Sequence, residues 1–584
     1  MRTLKPGVPL IASEMRPGTD LLAEGRSLAR IWTLGSNLFL TEKNVGSEAE
    51  YKRRQAAKGR VMQHAHIGFR SIHKTVDTMG YLFDTAQSQG VLIDRFGITL
   101  DWSMGYPPDR RGDAGRGTGI VLEGPDDFHR LTNASPAATH FGDFMLGLPG
   151  ALHNVQSALA AGATTIGNLG QYFTFRLPYW EDDVATTEAT VTALGLIATQ
   201  DDEVLVHSNL DDGFAGLFLD MTSAFGMMLI ERHIIEDLIG ARASFCFGHH
   251  FSSPLRRAAF HAALAREVDT PGTMLFGNTV AYRGLPAANY ASLASYLLTD
   301  ICSLKTRHTG HAINPVPVTE NQRTPDTDEI LDAQCFAARL VEHADEHQGV
   351  IDRTAIEAIA DRLVSGGRRF ARAALDGLQD SGVDISDPAA LMLAIRRLGA
   401  RQIEILWGVQ PSDDPARAAQ VPADWAEELE EMAQAWLDGL PPPDQNFGGL
   451  KVAIGTTDVH EHGALLVNRV LEGMNIEVVN AGVSIDAEDM VAFSQQEQAD
   501  VIAISTYNGI ALSYAETILA RLRQEDLKIP VLIGGKLNQI RENSNAQLPT
   551  DVSKELESIG VHPCADLDAM LDVLRAYRSR NLPG

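Results

Sequence analysis

Cysteine is scarce in this chain, and positive charge is short. The 584 residues include four cysteines, Cys246, Cys302, Cys335 and Cys564. They lie far apart with no CxxC pair, so the sequence offers no disulfide framework and no evident zinc–thiolate site, and it fits a reducing compartment. Lys and Arg number 49 against 76 Asp and Glu, a formal net charge of −27. That balance argues against nucleic acid or an anionic membrane surface as the main partner, because both demand basic patches. An anionic small molecule stays open, since it needs only local arginines. No apolar run approaches a membrane span, and the opening "MRTLKPGVPLIASEM" lacks the apolar core of a signal peptide. A cytoplasmic location is the expectation. Internal repeats, low-complexity tracts, and any evident Ser-His-Asp or paired-carboxylate set are also missing.

What is present is a soluble globular composition, 44% hydrophobic and 21% charged, over a length that implies several domains. Residues 1–114 mix helical patterns with charge and read as a mostly helical extension. From 115 to 325 short apolar runs end in polar or Gly residues and alternate with amphipathic stretches: "DFMLGLPG", "ATTIGNLGQ", "EVLVHSNL", "ARASFCFGHH", "TMLFGNT" and "SLKTRHTG". This alternation predicts βα units with parallel strands, as in a (β/α)8 TIM-type barrel. In such a barrel the C-terminal strand ends face the active site, and here they offer Asn168, His207, Asn209, His249, His250, Asn278 and Lys305. Residues 326–438 are helical. "GLPPPDQ" opens a stiff linker over 439–449. From 450 to 584 the strands "KVAIGTT", "IEVVNAG", "DVIAIST" and "PVLIGGK" alternate with helices, which predicts a doubly wound, flavodoxin-like parallel sheet buried on both faces.

The first strand of that last domain runs into Thr457-Asp458-Val459-His460-Glu461-His462-Gly463. The stretch therefore lies at the carboxyl edge of the sheet, where such folds bind ligands. The turn has no GxGxxG; it carries Asp and His instead. An imidazole can ligate a metal through one nitrogen while the other donates to a carboxylate; Asp458 and His460, two apart in a loop, could make that pair, although a lone DxH in a loop is more often a solvated polar pair than a ligand pair. Gly463 lets the backbone approach a bulky ligand. The next strands end at Ser505-Thr506-Tyr507 and at Gly534-Gly535, so three strand ends share an edge with little side-chain bulk.

Asp458, His460 and Gly463 (DxHxxG), Ser505, and Gly534-Gly535 together resemble the cobalamin-binding domain of corrinoid mutases and methyltransferases. "GGKLNQI" and "STYNG" are similar to the small subunit of glutamate mutase. The resemblance implies His460 as lower axial ligand of cobalt and Asp458 as its hydrogen-bond partner. It places the displaced dimethylbenzimidazole tail in a slot lined by Ser505, Gly534 and Gly535, with Tyr507 beside it. Glu461 and His462 are then not ligands. Lys451 and Lys536, the lysines nearest this edge, carry no mark of a pyridoxal phosphate Schiff base.

Over 115–320 the chain resembles, more loosely, the catalytic barrel of the glutamate mutase large subunit, as in "AGATTIGNLGQYFTFRLPYW" and "ICSLKTRHTGHAINPVPVTEN". That likeness implies Arg116 as a substrate-carboxylate ligand, Lys305 near the adenosyl ribose, and Tyr179 in the active site. Where the family has a glutamate after the lysine, this chain has Thr309, with His311 beyond it as a further candidate. Two arginines of a three-arginine claw have no counterpart, a glutamate near Leu169–Gly170 is missing, and a tyrosine position reads Phe175. The resemblance thus implies an adenosylcobalamin-dependent radical mutase with both subunits in one chain, acting on a small carboxylic acid other than glutamate. It also implies a homodimer. A corrinoid methyltransferase or carrier, with residues 330–437 as a helical cap, and a non-catalytic cobalamin sensor remain open alternatives.

Overall fold

The structure, a computed structural model, describes residues 9–112, 117, 119–282, 285–409, 419–441, 444, 446–458, 461–507, 509–539 and 550–581. The chain forms two compact units. The first comprises Met1–Arg111, Gly119–Thr174 and Asp182–Trp425; the second comprises Gly112–Thr118, Phe175–Glu181 and Ala426–Gly584. Both are mixed α/β with parallel sheets. Among the described residues no helix is long and apolar enough to cross a membrane.

In the first unit the strands are β1 (Met62–Ile67), β2 (Arg95–Ile98), β3 (Ala138–His140), β4 (Thr165–Gly167), β5 (Leu205–Asn209), β6 (Arg242–Cys246), β7 (Met274–Leu275) and β8 (Ala312–Ile313). At least one helix separates each strand from the next, as parallel pairing requires. One sheet has the order β3-β2-β1-β8-β7 and another the order β4-β5-β6. Isolated parallel bridges, Phe141 to Ile166 and Phe247 to Leu275, link the two.

This strand set differs from the sequence expectation at both ends. Residues 62–67 and 95–98, expected in a helical extension, are strands at the heart of the five-stranded sheet. Their inner-facing positions are His64, His66 and Arg95, so "MQHAHI" and "RFGI" lack the apolar texture that marks a buried parallel strand. "DFMLGLPG" is not a strand, because Phe144 and Gly147 have φ of 60° and 84° and the chain turns there; β3 ends just before it. "SLKTRHTG" is the end of the helix Pro286–Thr306 and the following turn.

The inner face of these strands is polar. His140 packs edge-on against His207 with ring centroids 4.5 Å apart, and against His64 at 6.3 Å. His207 Nδ1 lies 2.9 Å from Thr273 Oγ1 and His64 Nδ1 lies 3.2 Å from an Arg95 guanidinium nitrogen. Burial, reinforced by the Arg95 charge, holds all three imidazoles well below their ordinary pKa, so they are neutral. Below them Glu48 pairs with Arg95 at 2.9 Å and with Lys52 at 3.3 Å. Burial alone would raise Glu48, but the two cations bring it down to about 2; burial takes Lys52 down to about 7. Glycines make room for the rings. A methyl group on Gly97 would lie 2.5 Å from His66 Nδ1 and 2.6 Å from His64 Nε2, and one on Gly167 would lie 2.6 Å from His207 Cβ.

The second unit holds β9 (Lys451–Thr456), β10 (Glu477–Gly482), β11 (Val501–Thr506), β12 (Val531–Gly535), a short antiparallel pair β13 (Asn538–Gln539) and β14 (Thr550–Asp551), and β15 (His562–Cys564). The main sheet is parallel, in the order β10-β9-β11-β12-β15, the 2-1-3-4-5 order of a doubly wound fold. Alternate residues feed two cores. Ala453, Ile502, Ile504, Val531 and Ile533 bury one face, while Val452, Ile454, Val501, Ala503 and Leu532 bury the other. Each such valine, leucine or isoleucine contributes about 1.5–3 kcal/mol.

The expected free linker at 439–449 is partly core. Leu440 and Phe447 are 8% and 2% exposed and pack with Met474 and Leu571, as does Ala433 of the helix Asp424–Asp438. Apolar residues among the prolines tie this segment down, and the boundary between units falls near Trp425 instead.

Gly97→Ala is expected to destabilise the protein by about 1–3 kcal/mol through overpacking, read by denaturant unfolding. Gly349→Ala, where an added methyl meets nothing within 4 Å, is expected to stay within about 0.5 kcal/mol; equal effects at the two positions would contradict this packing.

Candidate functional site

The parallel order puts the ends of β9 and β11 side by side where the sheet reverses direction, the position at which doubly wound folds bind ligands. The two strands are joined there by their end residues. Thr457 N–H donates to the Ser505 carbonyl at 3.0 Å. Asp458, 9% exposed, accepts at Oδ2 from the Tyr507 backbone N–H at 2.9 Å and from the Thr457 hydroxyl at 3.0 Å. Its own carbonyl accepts the Thr456 hydroxyl. Both the backbone and the carboxylate of Asp458 are therefore fixed before the helix His462–Gly473 begins. His460 lies outside the described residues. His462 is the first residue of that helix and is half-buried.

Next to this carboxylate the sheet edge is low. Strand register aligns Thr456, Ser505, Gly534 and Cys564 in one row across β9, β11, β12 and β15, and none of the four is large. Gly463 faces the row, since a methyl group there would lie 2.9 Å from Ser505 Oγ. Gly535 has φ of 97°, and an added methyl would meet the Thr506 carbonyl at 2.2 Å; only glycine fits. Tyr507, 39% exposed, flanks the row, with Lys536 Nζ 2.9 Å from its hydroxyl and 4.2 Å from its ring centroid. Lys451 starts β9 at the opposite edge and pairs with Glu477 and Glu497 at 3.0 and 3.3 Å, away from the slot. Gly463 and Ser505 lie against each other, and the row beside them carries no bulky side chain. The residues present fit a bulky cofactor of the cobalamin type: the row of small side chains leaves the strand ends open beside the buried Asp458 carboxylate.

In the first unit the C-terminal strand ends carry Asn168, Asn209, His249, His250 and Asn278, while His207 sits within β5. Asn168 clasps two strands: its Oδ1 accepts from Gly170 and Asn209 N–H, both at 2.9 Å, and its amide donates to Asp212 at 2.7 Å. Asp211 accepts from the His249 and His250 N–H groups at 2.9 and 3.0 Å. Burial, with Asp143 and Asp211 nearby, pushes Asp212 well above the ordinary carboxyl range, so it keeps its proton to higher pH. His249 Nδ1 lies 3.0 Å from Thr279 Oγ1. Asn314, just after β8, is fully buried with neither amide atom partnered, and Asn278 is 4% exposed with Oδ1 unpartnered. Asp143, Asp211, Asp212 and Asn314 were not among the sequence candidates. The Asp-Asp pair one residue beyond "VHSN" was a visible signal; Asn314 was hidden because β8 was placed too early.

Arg116 lies outside the described residues, and three further expectations for the first unit need revision. Lys305 is in the last turn of the helix Pro286–Thr306, 3.7 Å from Asp345; it precedes β8 and so is at the N-terminal strand ends. His311 is there too, immediately before β8, because the turn at Gly310 (φ 75°) delays the strand. It is 2% exposed, 2.7 Å from Thr309 Oγ1, faces His261, and is held by burial well below its ordinary pKa. Tyr179 belongs with the second unit, 52% exposed; its N–H donates to Asp486 and its hydroxyl lies 3.4 Å from Glu488.

Comparison with known proteins agrees with the geometry of the second unit. Residues 452–552 match the B12 binding domain family. Similar solved structures include a novel cobalamin-binding protein from Desulfitobacterium hafniense DCB-2, at 17% identity over 39% of this chain and 92% of that one, with a TM-score of 0.20. The methanol:cobalamin methyltransferase complex MtaBC from Methanosarcina barkeri matches at 17% identity over 36% and 79%, with a TM-score of 0.19. The Methanosarcina barkeri monomethylamine corrinoid protein matches at 16% over 41% and 91%, with a TM-score of 0.19. Residues 452–552 therefore carry a B12-binding domain, which implies a cobalamin-type cofactor.

Proposed function

We propose that this chain is an adenosylcobalamin-dependent radical mutase acting on a small carboxylic acid other than glutamate. In this reading the strands of the first unit form a closed (β/α)8 barrel. The cyclic neighbour order, completed by the bridges Phe141–Ile166 and Phe247–Leu275, supports closure, as do inward contacts among side chains from β1, β3 and β5, the layering expected of such a barrel.

The observation that carries the choice of a mutase over a corrinoid carrier is where the helices between the two sheets are spent. The helices Thr327–Glu342, Arg353–Asp380 and Pro388–Trp407 belong to the first unit, which supports reading them as part of the parallel-strand unit. When bound, adenosylcobalamin supplies hydrogen-atom abstraction at unactivated carbon. The chain's own task is then to hold the substrate and exclude water. Asn278 and Asn314 offer unpartnered amide atoms for hydrogen bonds, and burial shifts Asp212, at the mouth of β5, toward its protonated form. Buried orphan amides cost about 1–3 kcal/mol each, and a bound substrate would offset that cost.

A second reading, a corrinoid carrier or methyltransferase partner, is favoured by one feature. The helix Asp424–Asp438 directly precedes the B12-binding domain and packs with it through Ala433, Trp436 and Leu437.

Anaerobic reconstitution with adenosylcobalamin, followed by EPR during exposure to small mono- and dicarboxylic acids, separates the two. A cobalt(II)–organic radical signal with at least one acid is the expected result. Methyl transfer from methylcobalamin with no radical would contradict the mutase. Asn314→Leu is expected to leave unfolding stability unchanged or about 1 kcal/mol higher, because it removes an unpaired polar group, and to lower turnover at least about tenfold. Lost stability with unchanged turnover would assign Asn314 a purely structural role.

A further inference from the structure

Among the helices of the first unit, Pro254–Glu267, the C-terminal half of Pro286–Thr306 and the segment leading into Arg353–Asp380 enclose a cavity of about 430 Å³. Small-molecule pockets occupy about 300–1,000 Å³. None of the lining residues is among the C-terminal strand-end groups described above, so this is a separate site.

Its walls set its chemistry. Leu255, Ala258 and Ala262, three and four residues apart, present one apolar face of the first helix, and the two alanines keep that face low. Ile351 and Ile356 add apolar surface, and Leu255 is 41% exposed. From the second helix come Thr299, Ser303 and Thr306, again on one face. Each of these hydroxyls donates to the carbonyl four residues back, all at 2.8 Å: Thr299 to Ser295, Ser303 to Thr299 and Thr306 to Cys302. A hydroxyl carries one proton and two lone pairs, so toward a guest all three can only accept. The charged groups of the lining are two cations and two carboxylates, and each is engaged. Glu357 pairs with Arg307 at 3.2 Å and also with Arg266. Arg353 donates to Gln348 Oε1 at 3.0 Å, and Asp352 accepts the Thr354 and Ala355 N–H groups at 2.9 and 3.4 Å. His261 adds no charge, because burial takes it down to about 3, and its Nε2 lies 2.8 Å from Thr309 Oγ1. A charged guest would find no unpaired counter-charge to offset its desolvation.

We propose that this cavity is a binding site for an uncharged ring compound with hydroxyl groups along one edge, of the phenol class. The ring lies on the alanine face of the helix Pro254–Glu267, and its hydroxyls donate to the oxygens of Thr299, Ser303 and Thr306. Apolar contact supplies most of the affinity, and the row of acceptors sets the orientation.

Resorcinol, its dimethyl ether and benzoate are the probes, each titrated calorimetrically into the full-length protein. Saturable binding of resorcinol at millimolar concentration, weaker binding of the ether and no binding of benzoate are expected. Ser303→Ala removes one acceptor and is expected to weaken resorcinol about 2- to 10-fold while leaving the ether unchanged. Ala258→Leu fills the cavity and is expected to abolish binding of both. Leu255→Ser, at an exposed position, is expected to weaken both and keeps the test decisive if Ala258→Leu does not fold. The proposal is overturned if resorcinol shows no saturable binding, or if benzoate binds as tightly. It is also overturned if resorcinol binds equally to the parent, Ser303→Ala and Leu255→Ser proteins, which would put the guest elsewhere.

Discussion

The second unit depends on one bond: the Tyr507 N–H held by the Asp458 carboxylate across the ends of β9 and β11. It joins the two strands between which a doubly wound sheet reverses direction and opens its crevice. It also places a buried carboxylate at the mouth of that crevice. With the Thr457 hydroxyl it lets the turn after β9 hold an acid at 9% exposure, since burying a carboxylate is unfavourable unless it is hydrogen-bonded. The low row Thr456–Ser505–Gly534–Cys564 then provides the space beside it, and Gly463 and Gly535 keep the backbone close without side chains in the way.

The first unit solves a different problem. Its parallel strands enclose imidazoles and a guanidinium where aliphatic side chains would be ordinary. These groups are tolerated because burial leaves the imidazoles neutral and because the single strong cation of the layer, Arg95, is paired with Glu48. At the C-terminal strand ends Asn278 Oδ1 and both amide atoms of Asn314 are buried without a hydrogen-bond partner, as are several imidazole and guanidinium nitrogens of the layer below; a ligand at the strand ends would add hydrogen bonds to the two amides.

The second unit was largely legible in the sequence. Its strands β9 to β12 are continuous apolar runs, and DxHxxG, Ser505 and Gly534-Gly535 fall at their ends. The short β15 was missed because "HPC" has no such run. The first unit was legible only in its middle. β4, β5, β6 and β7 announce themselves as apolar segments, but β1 and β2 bury His64, His66 and Arg95, and a pattern of hydrophobicity cannot distinguish buried polar residues from exposed ones. Lys305 and His311 were placed at the wrong end because β8 is two residues long and follows a helix whose last turn has strand-like texture. The prolines at 441–443 read as a boundary, whereas the actual division lies near Trp425, since Leu440 and Phe447 supply core contacts that proline composition does not reveal.

We propose that this chain binds cobalt through a histidine of its own, His460. The most direct measurement is the EPR spectrum of cob(II)alamin bound to protein made with 15N-labelled histidine and unlabelled cofactor. The account predicts that the axial nitrogen superhyperfine pattern changes from triplets to doublets on labelling, because the coordinating nitrogen comes from the protein. Triplets that persist in the labelled protein would mean that the cofactor's benzimidazole holds the cobalt, and would contradict it.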